Sequence, residues 1–307
     1  MIASSDYLGR LGSAMAPLAN AVLSMRPVRL LMQAVLGLEA GRSLPPYHRD
    51  RFDRWFRRRS EKGPGRRGRV ILWDDTWVRY HEPAIGRAAV LVLEAAGFEV
   101  VLAEDRKCCG RPSASRGLLE KARDLGEHNV ALLRAMGDAP VIFLEPSCWS
   151  MFVDEYRQFG IDGASQVAER CVLFENFVLT LLDADPSRLP LGSLESVAAV
   201  HSHCHANALA DTPVLTRLLE FVPDLETRRL NTGCCGMAGA FGLMAANQDL
   251  SLAVARPLID QVNDLPPGAR VVAAGTSCRH QLRDLADREV LHPAQVLAEA
   301  LEASPVS

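Results

Sequence analysis

Along this chain, short apolar or alternating runs of strand length are repeatedly followed by a cysteine or acidic motif, and that succession leaves few folds open. In the second half Val197 to Val200 leads into His201-Ser202-His203-Cys204-His205, Leu225 to Leu230 into Gly233-Cys234-Cys235-Gly236, and Val271 to Ala274 into Gly275-Thr276-Ser277-Cys278. The first half has the same grammar. Val70 to Trp73 leads into Asp74-Asp75-Thr76, Val100 to Leu102 into Cys108-Cys109-Gly110, and Val141 to Leu144 into Glu145-Pro146-Ser147-Cys148. Runs of this length, apolar or alternating and bounded by polar or glycine residues, read as strands. The spacings are close between halves, Thr76 to Cys108 at 32 positions against Cys204 to Cys234 at 30, and Cys109 to Cys148 at 39 against Cys235 to Cys278 at 43, and the period is too long for a solenoid. The expected fold is therefore α/β: two pseudo-symmetric halves, each with a mainly parallel sheet flanked by helices, preceded by a short helical arm. Every motif stands just past a strand, at the carboxyl edge where open α/β sheets bind ligands.

A chain of 307 residues accommodates two modest domains or one large one. The expected divisions are 1–69 (helical arm and basic linker), 70–196 (first half with connector) and 197–307 (second half). The formal net charge of −3 gives no general pull towards nucleic acid or anionic lipid. Two of the cysteine motifs are adjacent pairs, which fit disulfide geometry poorly, so a reducing compartment is expected. No stretch reaches the roughly 18 uninterrupted apolar residues of a spanning helix. Leu11 to Met25 is uncharged, but Pro17 and Asn20 interrupt it, and Asp6 precedes it where a secretory signal would be basic. The expectation is a cytoplasmic protein, peripheral at most to the inner membrane face.

Residues 1–43 read as two or three short helices, packed on the main body or serving as a docking arm. The stretch from Arg51 to Arg69 reads as a basic linker whose arginines and Lys62, broken by Gly63-Pro64-Gly65, form a solvated or partner-facing surface. Pro83 starts a helix that Gly97 ends. Further helices are expected over 116–136, over 171–184 with Cys171 packed at its head, from Thr212-Pro213, over 236–262, and from His292-Pro293 to a stop before Ser304-Pro305.

A thiolate is a soft, strong metal ligand, and four thiols brought from separated loops suit an iron–sulfur or zinc site. In a Cys-Cys-Gly motif the glycine lets the backbone come close to a cluster, and its N–H can hydrogen-bond to sulfur. Cys204, Cys234, Cys235 and Cys278 are the expected cofactor-binding set, and Cys108, Cys109 and Cys148 a second metal set with Glu145 as an oxygen ligand. Asp74 and Asp75 are alternative oxygen donors. His203 and His205 are expected beside the cluster rather than on it, with His280 near it or in a substrate pocket. His81 and His292 read as structural.

At these residues the sequence resembles the cysteine-rich, or CCG, domain family, found in heterodisulfide reductases and in the iron–sulfur subunits of glycolate oxidase and lactate-utilisation systems. The resemblance covers about residues 70 to 300. It is strongest to the C-terminal iron–sulfur part of FAD-linked 2-hydroxy-acid oxidases, through Glu-Pro-Ser-Cys at 145–148, His-x-His-Cys-His at 201–205, Cys-Cys-Gly-Met-Ala-Gly-Ala-Phe-Gly at 234–242 and Gly-Thr-Ser-Cys-Arg-His at 275–280. The family pattern has a cysteine before each Cys-Cys pair and a Cys-x-x-Cys after it. This chain instead has Asp74-Asp75-Thr76, Glu145 and Gly275 at the departing places, so four of five cysteines remain in the second half and three in the first.

The resemblance implies an iron–sulfur electron-transfer component of a flavin-dependent dehydrogenase acting on lactate, glycolate or 2-hydroxyglutarate. No ferredoxin-type cysteine run precedes Cys108, and no Gly-x-Gly-x-x-Gly follows the first strand. FAD is therefore expected on a partner flavoprotein, further clusters on a ferredoxin-like iron–sulfur partner, and a quinone or membrane carrier as acceptor. The resemblance also leaves open a thiol/disulfide catalytic component like that of heterodisulfide reductase, and residue chemistry leaves open a zinc-stabilised interaction module.

Overall fold

The computed structural model describes residues 5–60, 63, 65–209 and 213–303. Lys62, Pro64, Thr212 and Ser304-Pro305 lie outside them. The first half holds four parallel strands, β1 (Arg69–Trp73), β2 (Glu99–Leu102), β3 (Val141–Phe143) and β4 (Cys171–Leu173), in the order β2-β1-β3-β4. The second repeats the plan with β5 (Ser196–His201), β6 (Leu225–Arg229), β7 (Arg270–Ala273) and β8 (Val290–Leu291), in the order β6-β5-β7-β8. The expected pair of parallel α/β halves is thus the observed fold.

This strand order makes the chain leave the first strand of each half in one direction and return across it. Alternate connections therefore fall on opposite faces of each sheet. The Pro83–Ala95 and Val214–Leu219 helices lie on the inner face, the Leu119–Ala135 and Gln248–Asn263 helices on the outer faces. The strands obey the two-residue period. Val70 and Leu72 of β1 face the inner core and Ile71 and Trp73 the outer one; in β7, Val272 faces inward and Val271 and Ala273 outward. One core runs continuously between the sheets, formed by side chains of Pro83–Ala95, Phe174–Ala184, Val214–Leu219 and Pro293–Glu302. The two halves share this apolar layer.

Four expectations change. Cys171-Val172-Leu173 is a strand, not the head of a helix, because it pairs with β3; the helix starts at Phe174. The 116–136 helix begins at Leu119, after Gly117 at φ 74°. The 236–262 helix is confined to Gln248–Asn263. Before it, Gly236 and Gly239 at positive φ and two short turns, Phe241–Leu243 and Ala245–Asn247, fold the chain irregularly. Part of the basic linker is a helix, Phe52–Arg58. Phe52 is wholly buried in the inner core, while Arg51 and Arg57 pair with Asp53 and Arg59 with Glu94.

The arm forms the helices Ser5–Ala14, Ala16–Ser24 and Arg26–Leu36. Its first helix packs on the main body: Asp6 accepts from Thr76 Oγ1 at 3.0 Å and from Arg106 at 2.6 Å, and Gly9 lies against the Tyr80 ring. The segment after the arm joins the second half, where Leu38 bridges to Met244 and buried Arg42 pairs with Asp284 and Gln281.

Across the shared layer the halves are also locked by charge. Glu82 accepts from Arg279 Nη2 at 2.5 Å and Arg283 Nη1 at 2.8 Å. Burial alone would raise the Glu82 pKa, but Arg279 and then Arg283 outweigh it and hold the carboxyl at about 2, below its ordinary 4.5. A depressed folded-state pKa contributes stability that is full above the ordinary value and is lost as pH falls towards the folded one. Wild-type stability should therefore fall between about pH 4.5 and about pH 2 on this account. Glu82→Gln, which leaves buried Arg279 without its counter-charge, should cost about 3 kcal/mol at neutral pH and lack that acid step. Urea denaturation of both proteins across this range checks it; equal loss in both would refute the assignment.

Candidate metal centre

Each motif of the second half stands where a strand gives way to a turn. Past β5, His203 precedes the Cys204–Leu209 helix, and its Nδ1 accepts the His205 N–H at 3.1 Å. Past β6, Gly236 adopts φ 82°; a Cβ there would stand 2.3 Å from the Ser251 carbonyl oxygen, so only glycine fits, and its N–H points at Cys234 Sγ, 3.4 Å away. Past β7, Gly275 precedes the Thr276–Ala286 helix, whose first turn carries the buried Cys278.

These placements bring Cys204, Cys234, Cys235 and Cys278 to neighbouring strand ends, where the thiols shift one another's pKa. Cys234 is held far below the usual thiol range by hydrogen bonds from the Cys204 and Cys235 thiols and from the Gly236 N–H. Cys278 is lowered by the Cys235 thiol, then by His203 and His201, against the effect of burial. The donors Cys204 and Cys235 are pushed up in turn. His201 accepts or donates at Nδ1 to Thr232 Oγ1 at 3.1 Å, and its charged form is favoured by Cys278 in spite of burial. Among the described residues no set of three or more His, Cys, Asp or Glu side chains is drawn in to the spacing of a bound ion. The chemistry of the donor set still fits a thiolate-ligated cluster: soft ligands from three strand ends, a glycine cradle and an N–H aimed at sulfur.

The first half reproduces the frame with other side chains. Asp75 takes the place of His203, its Oδ1 accepting from Trp77 N at 2.7 Å and Val78 N at 3.2 Å, so Thr76 stands where Cys204 does. Gly110, like Gly236, has positive φ. Cys109 Sγ lies 3.1 Å from Cys148 Sγ, and Cys108 adjoins Cys109. In contrast to the second half, these thiols are all raised. Cys148 reaches about 11, where the hydrogen bond from Cys109 is outweighed by burial and by the negative charges of Asp75 and Glu145.

Glu145 does not turn to these thiols. Its Oε1 accepts from Ser147 N at 3.2 Å and Ser147 Oγ at 2.6 Å, and its Oε2 crosses to the second half to accept Thr276 N at 2.7 Å. The carboxylate thus caps the two helices that carry Cys148 and Cys278. Burial raises its pKa, but His203 and these donors bring it below the ordinary value. Asp74 is also engaged, by Arg79 at 2.7 and 2.8 Å and by Arg106. Asp75 differs: its buried Oδ2 has no hydrogen-bond partner among the described residues.

The other histidines separate cleanly. His205 Nδ1 meets Ser150 Oγ of the first half at 3.3 Å, where the Cys204–Leu209 helix packs on Pro146–Ser150, the helix that carries Cys148. His280 Nε2 meets the Ser43 carbonyl at 3.1 Å and lines a cavity of about 490 Å³ with Trp77, His81, Glu82, Thr276 and Arg283. His81 binds the Pro46 carbonyl, and His292 caps the Pro293–Glu302 helix and reaches the Leu144 carbonyl. The residues that sequence reasoning missed are Glu82 and Arg279, which tie the halves together beside the site, and His201, named there only as part of a motif. Glu82 and Arg279 carry no local signal, because a pairing over about 200 positions is set by the fold alone. Cys171 packs in the first-half outer core.

A duplicated parallel α/β frame that gathers thiols at its strand ends defines a class of cysteine-motif proteins built for soft-metal chemistry. The model of the cysteine-rich domain, CCG, matches residues 76–153 and 198–283. The chain is 30% identical over 98% of its length to a subunit of the anaerobic glycerol-3-phosphate dehydrogenase of Escherichia coli strain K12, covering 76% of that protein. It is 27% identical to D-2-hydroxyglutarate dehydrogenase of Pseudomonas putida over 78% of this chain and 23% of that one. To lactate utilization protein A 1 of Bacillus cereus it is 30% identical, over 57% of this chain and 74% of the relative. The chain belongs to the cysteine-rich CCG domain family. Among the described residues no helix is long and apolar enough to cross a membrane.

Proposed function

We propose that this chain is the iron–sulfur electron-transfer component of a flavin-linked dehydrogenase complex acting on a small hydroxy acid or a related anionic alcohol. The convergence of Cys204, Cys234, Cys235 and Cys278 at three adjacent strand ends carries the reading. The names of its relatives, dehydrogenases of glycerol-3-phosphate and D-2-hydroxyglutarate and a lactate-utilisation protein, support the substrate class.

A cluster bound by these four thiols supplies one-electron transfer. The chain's own residues hold it: Cys278 is fixed in a buried helical turn, Gly236 gives the backbone room, and Cys204, exposed, leaves one side open to a partner. Oxidation of a secondary alcohol to a ketone releases two electrons and two protons, which FAD on a partner flavoprotein takes up. The electrons then cross this chain singly to an acceptor; a quinone acceptor would take up two protons with them. The cavity beside Thr276 and His280, two residues on either side of Cys278, is a suitable approach for such an acceptor. Cys108, Cys109 and Cys148 hold a second metal, a cluster or zinc, with an oxygen donor completing the set. A ferredoxin-like partner and a place at the inner face of the cytoplasmic membrane follow from the same reading.

Anaerobic purification with iron, zinc and acid-labile sulfide analysis tests it. Iron and sulfide together in the wild-type chain are the expected result; a chain that takes up zinc but neither iron nor sulfide would sink the proposal.

A further inference from the structure

The cavity of about 490 Å³ lies where three stretches of chain meet: the segment after the arm at 43–50, the first half at 77–87, and the second half at 276–295. That volume falls within the roughly 300–1,000 Å³ of small-molecule sites. Thr276 and His280, four positions apart, share one face of the helix whose other side carries Cys278. One helix width, about 10 Å, therefore separates the cavity from that thiol. Every arginine and carboxylate of the wall is already paired. Arg87 is matched with Asp50, and Glu82 accepts from Arg283 Nη1 at 2.8 Å as well as from Arg279. His81 Nδ1 meets the Pro46 carbonyl at 3.0 Å, and burial holds its pKa at about 4, so it is neutral at pH 7. An anionic ligand would give up its hydration here and find no counter-charge left to meet it. The rest of the wall is largely apolar, with Pro45, Pro46, Pro83 and Ile85 beside the flat Trp77 indole. Hydrogen-bond donors remain at two points. Gln295 Oε1 accepts the His292 N–H at 2.9 Å, which leaves its amide N–H groups to donate, and Thr276 Oγ1 accepts from Arg279 Nη2 at 3.0 Å, which leaves its hydroxyl hydrogen.

We infer that this cavity binds an uncharged, flat ring that accepts hydrogen bonds, of the quinone class, and that it excludes the anionic hydroxy-acid substrate. The inference deepens the electron-transfer reading above and rests on it for the source of electrons. Reduction of one ring to its hydroquinone takes two electrons, arriving singly by way of the thiol site, and two protons, supplied by water at the exposed Asp50–Arg87 side.

The test measures binding. Anaerobically purified wild type, Ala84→Phe and Thr276→Val are titrated with a short-chain, fully substituted benzoquinone, whose ring has no open position for thiol addition, and quenching of tryptophan fluorescence is followed. Iron and sulfide per chain are measured on each. Ala84 is exposed on the cavity wall at the start of the Pro83–Ala95 helix, so phenylalanine there fills space without removing a hydrogen bond. Wild type should show saturable quenching that lactate does not reverse. Ala84→Phe should bind at least about tenfold more weakly, with iron content and thermal stability unchanged, and Thr276→Val about fivefold more weakly, the net worth of one hydrogen bond. Equal binding by wild type and Ala84→Phe, reversal by lactate, or no saturable binding to wild type would overturn the cavity assignment, and iron and sulfide in the same protein would leave the cluster reading standing. Saturable binding to a wild type that holds neither iron nor sulfide would instead overturn the cluster reading and uphold the cavity.

Discussion

Cys234→Ser or Cys278→Ser should strip the protein of most of its bound iron, while Cys108→Ser should leave that iron in place. The reason lies in the broken symmetry of the two halves. At the end of the first strand of each sheet the same cap geometry recurs, with Asp75 or His203 accepting from the N–H two residues on. The residue that follows the cap is Thr76 in one half and Cys204 in the other, so the first half lacks a thiol at this strand end. A serine oxygen is a harder and far more basic ligand than a thiolate, and Cys278 is fixed by its helix, so no neighbouring thiol can replace it. Losing an outer-shell partner typically costs about 10- to 100-fold in metal affinity; losing one of four ligands should exceed that. Cys108→Ser should change a separate, weaker or different metal. Iron and sulfide per chain, with the charge-transfer absorption of thiolate-bound iron, report the outcome. Equal loss of iron from both kinds of variant would contradict the asymmetry.

The doubled frame was readable because its signals are local. Six short apolar or alternating runs, each ended by a polar or glycine motif, gave β1 to β3 and β5 to β7 with their order along the chain, and Pro83 and His292-Pro293 marked helix starts that the structure keeps. The fourth strand of each sheet was not readable. Cys171–Leu173 and Val290–Leu291 are three and two residues long and lead into helices, so periodicity has nothing to distinguish; each is a strand only because a neighbour supplies hydrogen bonds. The stretch 236–247 failed for another reason. Its apolar residues resemble a helix start, but Gly236, Ala238 and Gly239 take positive φ. At the site, the gathering of the thiols follows from their places past strands. The direction of Glu145 does not, since its second partner, Thr276, lies 131 positions away. A carboxylate beside cysteines reads as a ligand until the opposite half is in view.

The isolated chain should show no 2-hydroxy-acid dehydrogenase activity with a dye acceptor, and activity should appear only when a partner flavoprotein is added. Alcohol oxidation needs a group that accepts a hydride, and that chemistry belongs to flavin or nicotinamide cofactors. The thiol site offers soft ligands for one-electron chemistry, and the sequence carries no Gly-x-Gly-x-x-Gly after its first strand. The cysteine variants sharpen the test, because Cys278→Ser should stay inactive even with the flavoprotein present. Deleting the arm would be a poor way to look for the docking surface. Residues 1–43 include Asp6, which pairs with wholly buried Arg106, and Arg42, which pairs with Asp284; removing one partner of a buried pair costs about 3–5 kcal/mol. Loss of activity after such a deletion would report unfolding. Point substitutions on the arm's outer face avoid this, since Leu30, Leu31 and Val35 of the third helix are all more than half exposed and support no core. Leu31→Glu with Val35→Glu should therefore leave iron content and thermal stability unchanged, so that any loss of coupled activity measures association. Oxidation of lactate, glycolate or 2-hydroxyglutarate by the purified chain alone, or FAD retained through purification, would end the electron-transfer-component reading, because the hydride acceptor would then reside in this chain.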